Sequence, residues 1–202
     1  MNVSIYSNLY KIKILNSMKT SVILLLVTFS LLSCNSYGQH QDPTHNFSVL
    51  RLIIINENNE MLMSRQGDLW FTPSLVYNKS QFIIESLDSL SNEYGIKITS
   101  PELRGYFSYK YDYHQYSTLR SYFVAKYAGG KIKIPEGKDD VQWLPMDIAL
   151  EKNTVTSIKQ ITKHIIKFPN VVWGGSFLVS RVGDEHPTKM VESFYPLFQS
   201  NE

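Results

Sequence analysis

Trp70-Phe71-Thr72-Pro73, followed by Ile83-Ile-Glu-Ser-Leu-Asp-Ser-Leu-Ser-Asn-Glu-Tyr-Gly-Ile96, is the stretch that decides the fold. The second part is helix-like. Ile83, Ile84, Leu87, Leu90 and Tyr94 recur at three- and four-residue spacing, which predicts an amphipathic helix over Lys79 to Tyr94 that stops at Gly95. Upstream, Ser48-Val-Leu-Arg-Leu-Ile-Ile-Ile55 is β-branched and nearly all apolar, as expected of a central strand covered on both faces. Asn56 to Asn59 supplies turn residues and Glu60 to Arg65 returns as a second strand, so the two form a hairpin. Downstream lie two long strands, Leu103 to Tyr113 and Ser117 to Tyr127, a short one at Val141 to Leu144, and a second amphipathic helix, Val155 to Phe168. In that helix Ile158, Ile161, Ile165 and Phe168 form the apolar side.

This order, strand, turn, strand, Trp-x-x-Pro, helix ending in Gly-apolar, long strands, Trp-containing strand, helix, resembles the Nudix hydrolases over about residues 47 to 168. Asn58 to Arg65 looks like the hairpin that feeds the Nudix box, Trp70 to Pro73 like its aromatic-Pro approach, Leu90 to Ile96 like its end, and Val141-Gln-Trp143-Leu144 like the later Trp strand. The resemblance implies an α+β fold, a Nudix-like mixed β-sheet sandwiched between α-helices. Residues 169 to 202 then form a C-terminal β extension packed on the same domain. Strand-like Ser176 to Val182 and Lys189 to Tyr195 flank a Gly-Asp-Glu-His-Pro turn, and Trp173-Gly-Gly175 is expected to mark a bulge or tight turn.

Counted back from Gly95, the box has lost most of its acids. Its opening Gly falls on Ser74, its first Glu on Ser80, its Arg on Asp88 and the next Glu on Ser89, while the closing Glu pair becomes Asn92 and Glu93. Glu93 alone keeps a carboxylate, and is the candidate catalytic and metal-binding residue. Mg²⁺ takes its negative charge from carboxylates and substrate phosphate, so one carboxylate with the Ser89 hydroxyl and the Asn92 amide offers too little. A site that cannot hold the metal loses the polarised diphosphate and the activated water. No cofactor is therefore expected. The alternative is an active enzyme using Mg²⁺ or Mn²⁺, with Glu136, Asp139 and Asp140 rebuilding the site from the loop before Trp143; as plain residues those acids read as a solvated turn. Glu85 and Asp88 lie on the helix face opposite Ile83, Leu87 and Leu90 and read as surface charges.

The candidate ligand-contacting residues are Arg65 and Trp70. Arg104 and Arg120 are further guanidiniums able to meet phosphate oxygens if they reach the same cleft. Tyr106, Phe107, Tyr109, Tyr111, Tyr113, Tyr116, Tyr122, Phe123 and Tyr127 crowd two neighbouring strands. Cross-strand packing accounts for them, and a wall for stacking a flat ring is the other reading. Gly174 to Leu178 is not a nucleophile elbow, because Leu178 stands where its final Gly would be. The His residues at 40, 45, 114, 164 and 186 have no metal-ligand spacing.

The N-terminus reads as an export signal. Lys19 precedes the apolar run Val22 to Leu32, which is shorter than the roughly 20 residues a membrane-spanning helix needs. The run ends in Leu31-Leu-Ser-Cys34, which resembles a bacterial lipobox and makes Cys34, the chain's single cysteine, the expected site of lipidation. Residues 1 to 33 are thus a signal peptide, with 1 to 17 upstream of a second candidate start at Met18, and 34 to 46 a polar tether. The basic balance belongs to this leader. Residues 1 to 33 hold Lys11, Lys13 and Lys19 and no acid, and removing those three from the 20 basic residues leaves 17 against 18 acidic ones. With no run of Lys and Arg, nucleic acid is not an expected partner. The expectation is an exported domain, lipid-anchored to a bacterial membrane, that binds a phosphorylated or nucleotide-like small molecule or a protein partner with hydrolysis lost or reduced. The alternative is an active metal-dependent pyrophosphohydrolase.

Overall fold

The computed structural model describes residues 47–78, 80–99 and 101–199. The expected signal sequence, Cys34, the whole expected tether 34 to 46 and Lys79 lie outside the described residues. The first strand, β1 (Phe47–Ile55), is central, as its composition requires, and runs parallel to β7 (Ser117–Gly130) along its whole length, from Phe47 opposite Thr118 to Ile55 opposite Lys126. Its other edge is divided. The first half pairs with β4 (Ser74–Tyr77), while β2 (Glu60–Gln66) touches it only at Ile55 opposite Met61 before turning away to β3 (Leu69–Phe71) and β8 (Asp140–Pro145).

The expected hairpin is therefore real at its turn and brief as a ladder. Asn56 sets the turn: its Oδ1 accepts the N–H groups of Asn58 at 3.0 Å and Glu60 at 2.9 Å, and Asn59 adopts φ 59°, which asparagine tolerates. β4 takes the rest of the β1 edge because Pro73 redirects the chain alongside it, with Leu52 N–H donating to the Pro73 carbonyl at 2.9 Å.

Beyond β7 come β6 (Glu102–Tyr111), then β9 (Val171–Val179) parallel to it, then β10 (Thr188–Gln199) at the edge, giving the order β10-β9-β6-β7-β1-β2-β3. Trp173-Gly-Gly175 is not a tight turn, and the expected bulge is met by the register shifts of the β10 ladder opposite it. The stretch lies within β9, where a Cβ at Gly174 would come within 2.6 Å of the Tyr195 ring, so the missing side chain admits an aromatic from the neighbouring strand.

Alternation along β1 divides the core into two layers. Leu50, Leu52 and Ile54 face Leu87, Leu90 and Tyr94 of the segment containing α1 (Ile83–Glu93). Ile53 faces Ile158, Ile161 and Ile165 of α3 (Thr156–Lys167) on the other side. The result is a mixed sheet between helices, and strict two-residue alternation is the physical reason one apolar strand can serve both layers.

Two parts of the helix reading need correction. α1 begins at Ile83 rather than Lys79, and Ile83 and Ile84 are 42% and 50% exposed. The buried stripe is Ser86, Leu87, Leu90, Ser91 and Tyr94, so the sheet covers the helix only from its second turn onward. Glu85 holds the helix start by accepting the Phe82 N–H at 3.1 Å. The helix ends where expected: Gly95 has φ 74°, and a Cβ there would lie 2.2 Å from the Lys131 carbonyl oxygen, which excludes a side chain twice over. Phe168, expected on the apolar side of α3, is the residue after the helix and is 38% exposed against His164 and Trp173. The short strand β5 (Ile96–Ile98) and the helix α2 (Met146–Lys152), which buries only Ala149, complete the chain.

Candidate functional site

The positions that the count from Gly95 assigns to the box fall on β4, the segment before α1, and α1 itself. Of them, Ser89 and Glu93 line one small pocket of about 70 Å³, together with Leu75, Tyr77 and Gln81. Gln81 Nε2 reaches the Ser89 hydroxyl at 3.5 Å. Asn92 is exposed and is not among the lining residues, and Asp88 and Ser80 are exposed as well. The residues lining this pocket offer one carboxylate, two serine hydroxyls, counting Ser86, the Tyr77 phenol and an amide. A divalent cation demanding hard, charged oxygen ligands is not fitted by this set. Among the described residues no three His, Cys, Asp or Glu side chains gather where they could hold a metal ion.

The loop acids have other work. Asp139 accepts the Gly67 N–H at 2.6 Å, lies 3.8 Å from the Arg65 guanidinium, and its own N–H donates to the Arg65 carbonyl. Arg65 Nη1 in turn donates to the Gly67 carbonyl at 3.1 Å. Arg65 and Asp139 therefore brace the β2–β3 turn. Asp140 accepts from Gln142 at 2.7 Å, and Glu136 is exposed. None of the three acids lines the pocket that Glu93 lines.

Trp70 is 8% exposed within the α3-side core, capped by the Lys152 ammonium 3.9 Å from its ring centroid, while its backbone N–H donates to the Thr154 hydroxyl. The structure makes it an anchor for the residues between α2 and α3. Arg104 is ion-paired with Glu102. Both line a wider groove of about 780 Å³ where β1 ends beside Val124 to Lys126 of β7, next to Ile165 and Ile166.

The aromatic residues divide by face. Phe107, Tyr109 and Tyr122 are buried and pack on one another and on Phe177, edge-on at 5.5 Å for Phe107–Tyr122 and stacked at 5.0 Å for Tyr109–Phe177. Tyr106 points to the other face and is 41% exposed. Tyr111, Tyr113, His114 and Tyr116 cluster at the β6–β7 turn, with the His114 and Tyr116 rings stacked at 4.6 Å.

Arg51 is the residue that sequence reasoning passed over. It is 6% exposed, on the α3 side of β1, and donates from Nη1 to the Thr72 carbonyl at 2.7 Å and hydroxyl at 3.2 Å. Arg120, on the same side of β7, lies 3.6 Å above the Tyr109 ring and donates to the Tyr111 hydroxyl at 3.2 Å. Burial is the main influence lowering the Arg51 pKa, and the charge of Arg120 adds to it. The signal was present: a single charged residue inside a strand otherwise apolar on both faces has to be buried.

No protein-family model matches the chain, and no curated protein matches it. Solved structures do. A MutT protein from Bacillus halodurans aligns over 72% of this chain and 97% of its own, at 22% identity and a TM-score of 0.60. A Nudix hydrolase from Nitrosomonas europaea aligns over 67% and 80%, at 13% identity and 0.54. A MutT protein from Methanosarcina mazei Go1 aligns over 60% and 94%, at 14% identity and 0.50. Together with a helix that ends on Gly95-Ile96 beneath a mixed sheet, these alignments define the architecture as the Nudix fold. At such identities the likeness is one of fold, and chemistry has to be argued from the residues of this chain.

Proposed function

We propose that the domain is a small-molecule binding module on a Nudix scaffold in which metal-dependent hydrolysis has been lost or strongly reduced. The observation that carries this reading is the donor set around Glu93. It is the one carboxylate on a pocket otherwise lined by hydroxyl, amide and apolar groups, and the acids that the alternative needs in its place, Asp139 and Asp140, are held in hydrogen bonds at and beside the β2–β3 turn. The test is hydrolysis of nucleoside diphosphate derivatives by the full chain with Mg²⁺ or Mn²⁺. No metal-dependent turnover above background is expected, and Glu93→Gln should leave any residual rate unchanged. Turnover by the wild type that falls by orders of magnitude in Glu93→Gln would overturn the reading in favour of a working pyrophosphohydrolase. Turnover that persists in Glu93→Gln would move the chemistry to Glu136, Asp139 and Asp140.

The export reading joins this proposal. The Leu31 to Cys34 motif supports a domain held at a bacterial membrane by lipid on Cys34. Expressed with its full signal in a bacterium, the wild type should fractionate with membranes, and Cys34→Ala should be released or left uncleaved. Equal solubility of the two forms in the cytoplasm would sink it.

A further inference from the structure

We propose that Arg51 and Arg120, with the hydroxyls of Tyr109 and Tyr122, form a binding site for a terminal phosphate group, free or carried as the monoester of a small molecule, on the sheet face opposite α1. This rests on the binding-module reading and supplies the ligand chemistry that reading leaves open.

The argument begins with unmet hydrogen-bonding groups. The Nε atoms of Arg51 and Arg120 and the hydroxyls of Tyr109 and Tyr122 are buried and make no well-formed hydrogen bond, although Tyr122 lies near enough to Arg51 and to Tyr109 for weak ones. All four come from one face of three adjacent strands: in the register, Arg51 lies beside Tyr122, and Arg120 is paired with Phe107, two residues before Tyr109. Each is a potential donor. An arginine can never accept, and burial pushes the Tyr122 phenol far above its ordinary range, so it stays protonated with its O–H available to donate. The two phenol oxygens can also accept, yet even a chain linking Arg51, Tyr122 and Tyr109 leaves at least one phenol O–H without an acceptor. That donor needs an acceptor, and buried donors without one are rare enough to require a cause.

Charge makes the same demand. Among the described residues no carboxylate lies within ion-pairing distance of either arginine. A third cation, Lys138, feels the charge of Arg51; its ammonium sits 4.8 Å from the Phe71 ring centroid and donates to the Gln66 side chain. The one acid acting on Lys138, Asp139, is already engaged by Gly67 and Arg65. Buried charges persist when something neutralises them. A phosphate group is acceptor-rich, carries close to two negative charges at neutral pH, and matches the planar fork of a guanidinium bidentately. The Arg120 side also adjoins a ring cluster: Tyr111, which accepts from Arg120, is packed at 5.3 Å on Tyr116, which meets Phe47 at 6.0 Å. A phosphate ester bearing a flat group can place that group there, so the monoester should bind more tightly than the free ion.

The probes are inorganic phosphate and phenyl phosphate, added to the detergent-purified full chain and followed by calorimetric titration and by the Nε–H resonances of arginine. Phosphate should move the Arg51 and Arg120 resonances and raise the melting temperature, with phenyl phosphate the tighter of the two; equal affinity would remove the ring cluster from the site and leave free phosphate as the ligand. Arg51→Met and Arg120→Met should each weaken binding by on the order of tenfold or more. If either variant fails to fold, the wild-type resonances decide. Resonances that do not move, or that move equally with acetate or chloride at the same ionic strength, would overturn the proposal. Unaltered phosphate affinity in folded variants would do the same. Hydrolysis that depends on Glu93 would defeat the non-hydrolytic reading and leave this site standing, so the two can fail separately.

Discussion

Phe107→Ala is expected to lower the unfolding free energy by about 3–5 kcal/mol, the range for emptying a fully buried phenylalanine site. Its ring lies edge-on to Tyr122 at 5.5 Å and to Phe194 at 5.8 Å, and meets Phe177 at 6.3 Å. It also fills the space left by two glycines. A Cβ on Gly105 would fall 2.5 Å from its Cε2, and one on Gly175 would fall 3.3 Å from its Cδ1. The backbone on both sides has been shaped to admit this ring and has little freedom to close over a void. Tyr106→Ala, one residue earlier but on the opposite, partly exposed face, should cost far less. Urea unfolding of both variants checks the contrast. Equal losses would show that the two faces of β6 are assigned wrongly.

Leu87→Ala should cost about 2–5 kcal/mol, because Leu87 is fully buried between α1 and the sheet. Ile83→Ala, one helical turn earlier, should change stability by no more than about 0.5 kcal/mol. By periodicity alone these residues share a face. The comparison therefore measures how far the sheet extends along the helix, and a large loss at Ile83 would place its first turn in the core.

The contrast shows which features could be read without coordinates. The 3.6-residue repeat identified α1 and α3, and the alternation in β1 identified a strand buried on both sides, because burial itself produces those patterns. Where the covering sheet ends leaves no periodic trace, so Ile83 and Phe168 were misassigned to buried positions. β4 was missed for a related reason: Ser74 to Tyr77 is four residues long, and its pairing with β1 depends on Pro73 turning the chain at a distance in sequence.

The alignment of the box by counting back from Gly95 rests on identity and spacing alone. What could not be read was that Asn92, which that count sets at an acidic position of the box, sits outside the pocket shared by Ser89 and Glu93, or that Arg65 and Asp139 brace a turn together. Arg51 was legible in principle. A cation in the middle of Leu50-Arg51-Leu52-Ile53-Ile54 conflicts with its surroundings, and such local conflicts are where a functional demand overrides folding preference.

The outermost strand bears on how copies of the domain behave toward one another. Among the described residues β10 has one backbone edge without a pairing strand, and it exposes Val191, Leu197 and Phe198, a combination that ordinarily invites strand-to-strand association between molecules. Its irregularity works against that. The register with β9 breaks between Met190 and Glu192, between Glu192 and Tyr195, and between Pro196 and Phe198, and Pro196 has no N–H to donate. A second chain approaching this edge meets a kinked template with a missing donor, so the sheet can end in an open, greasy strand without recruiting another to extend it.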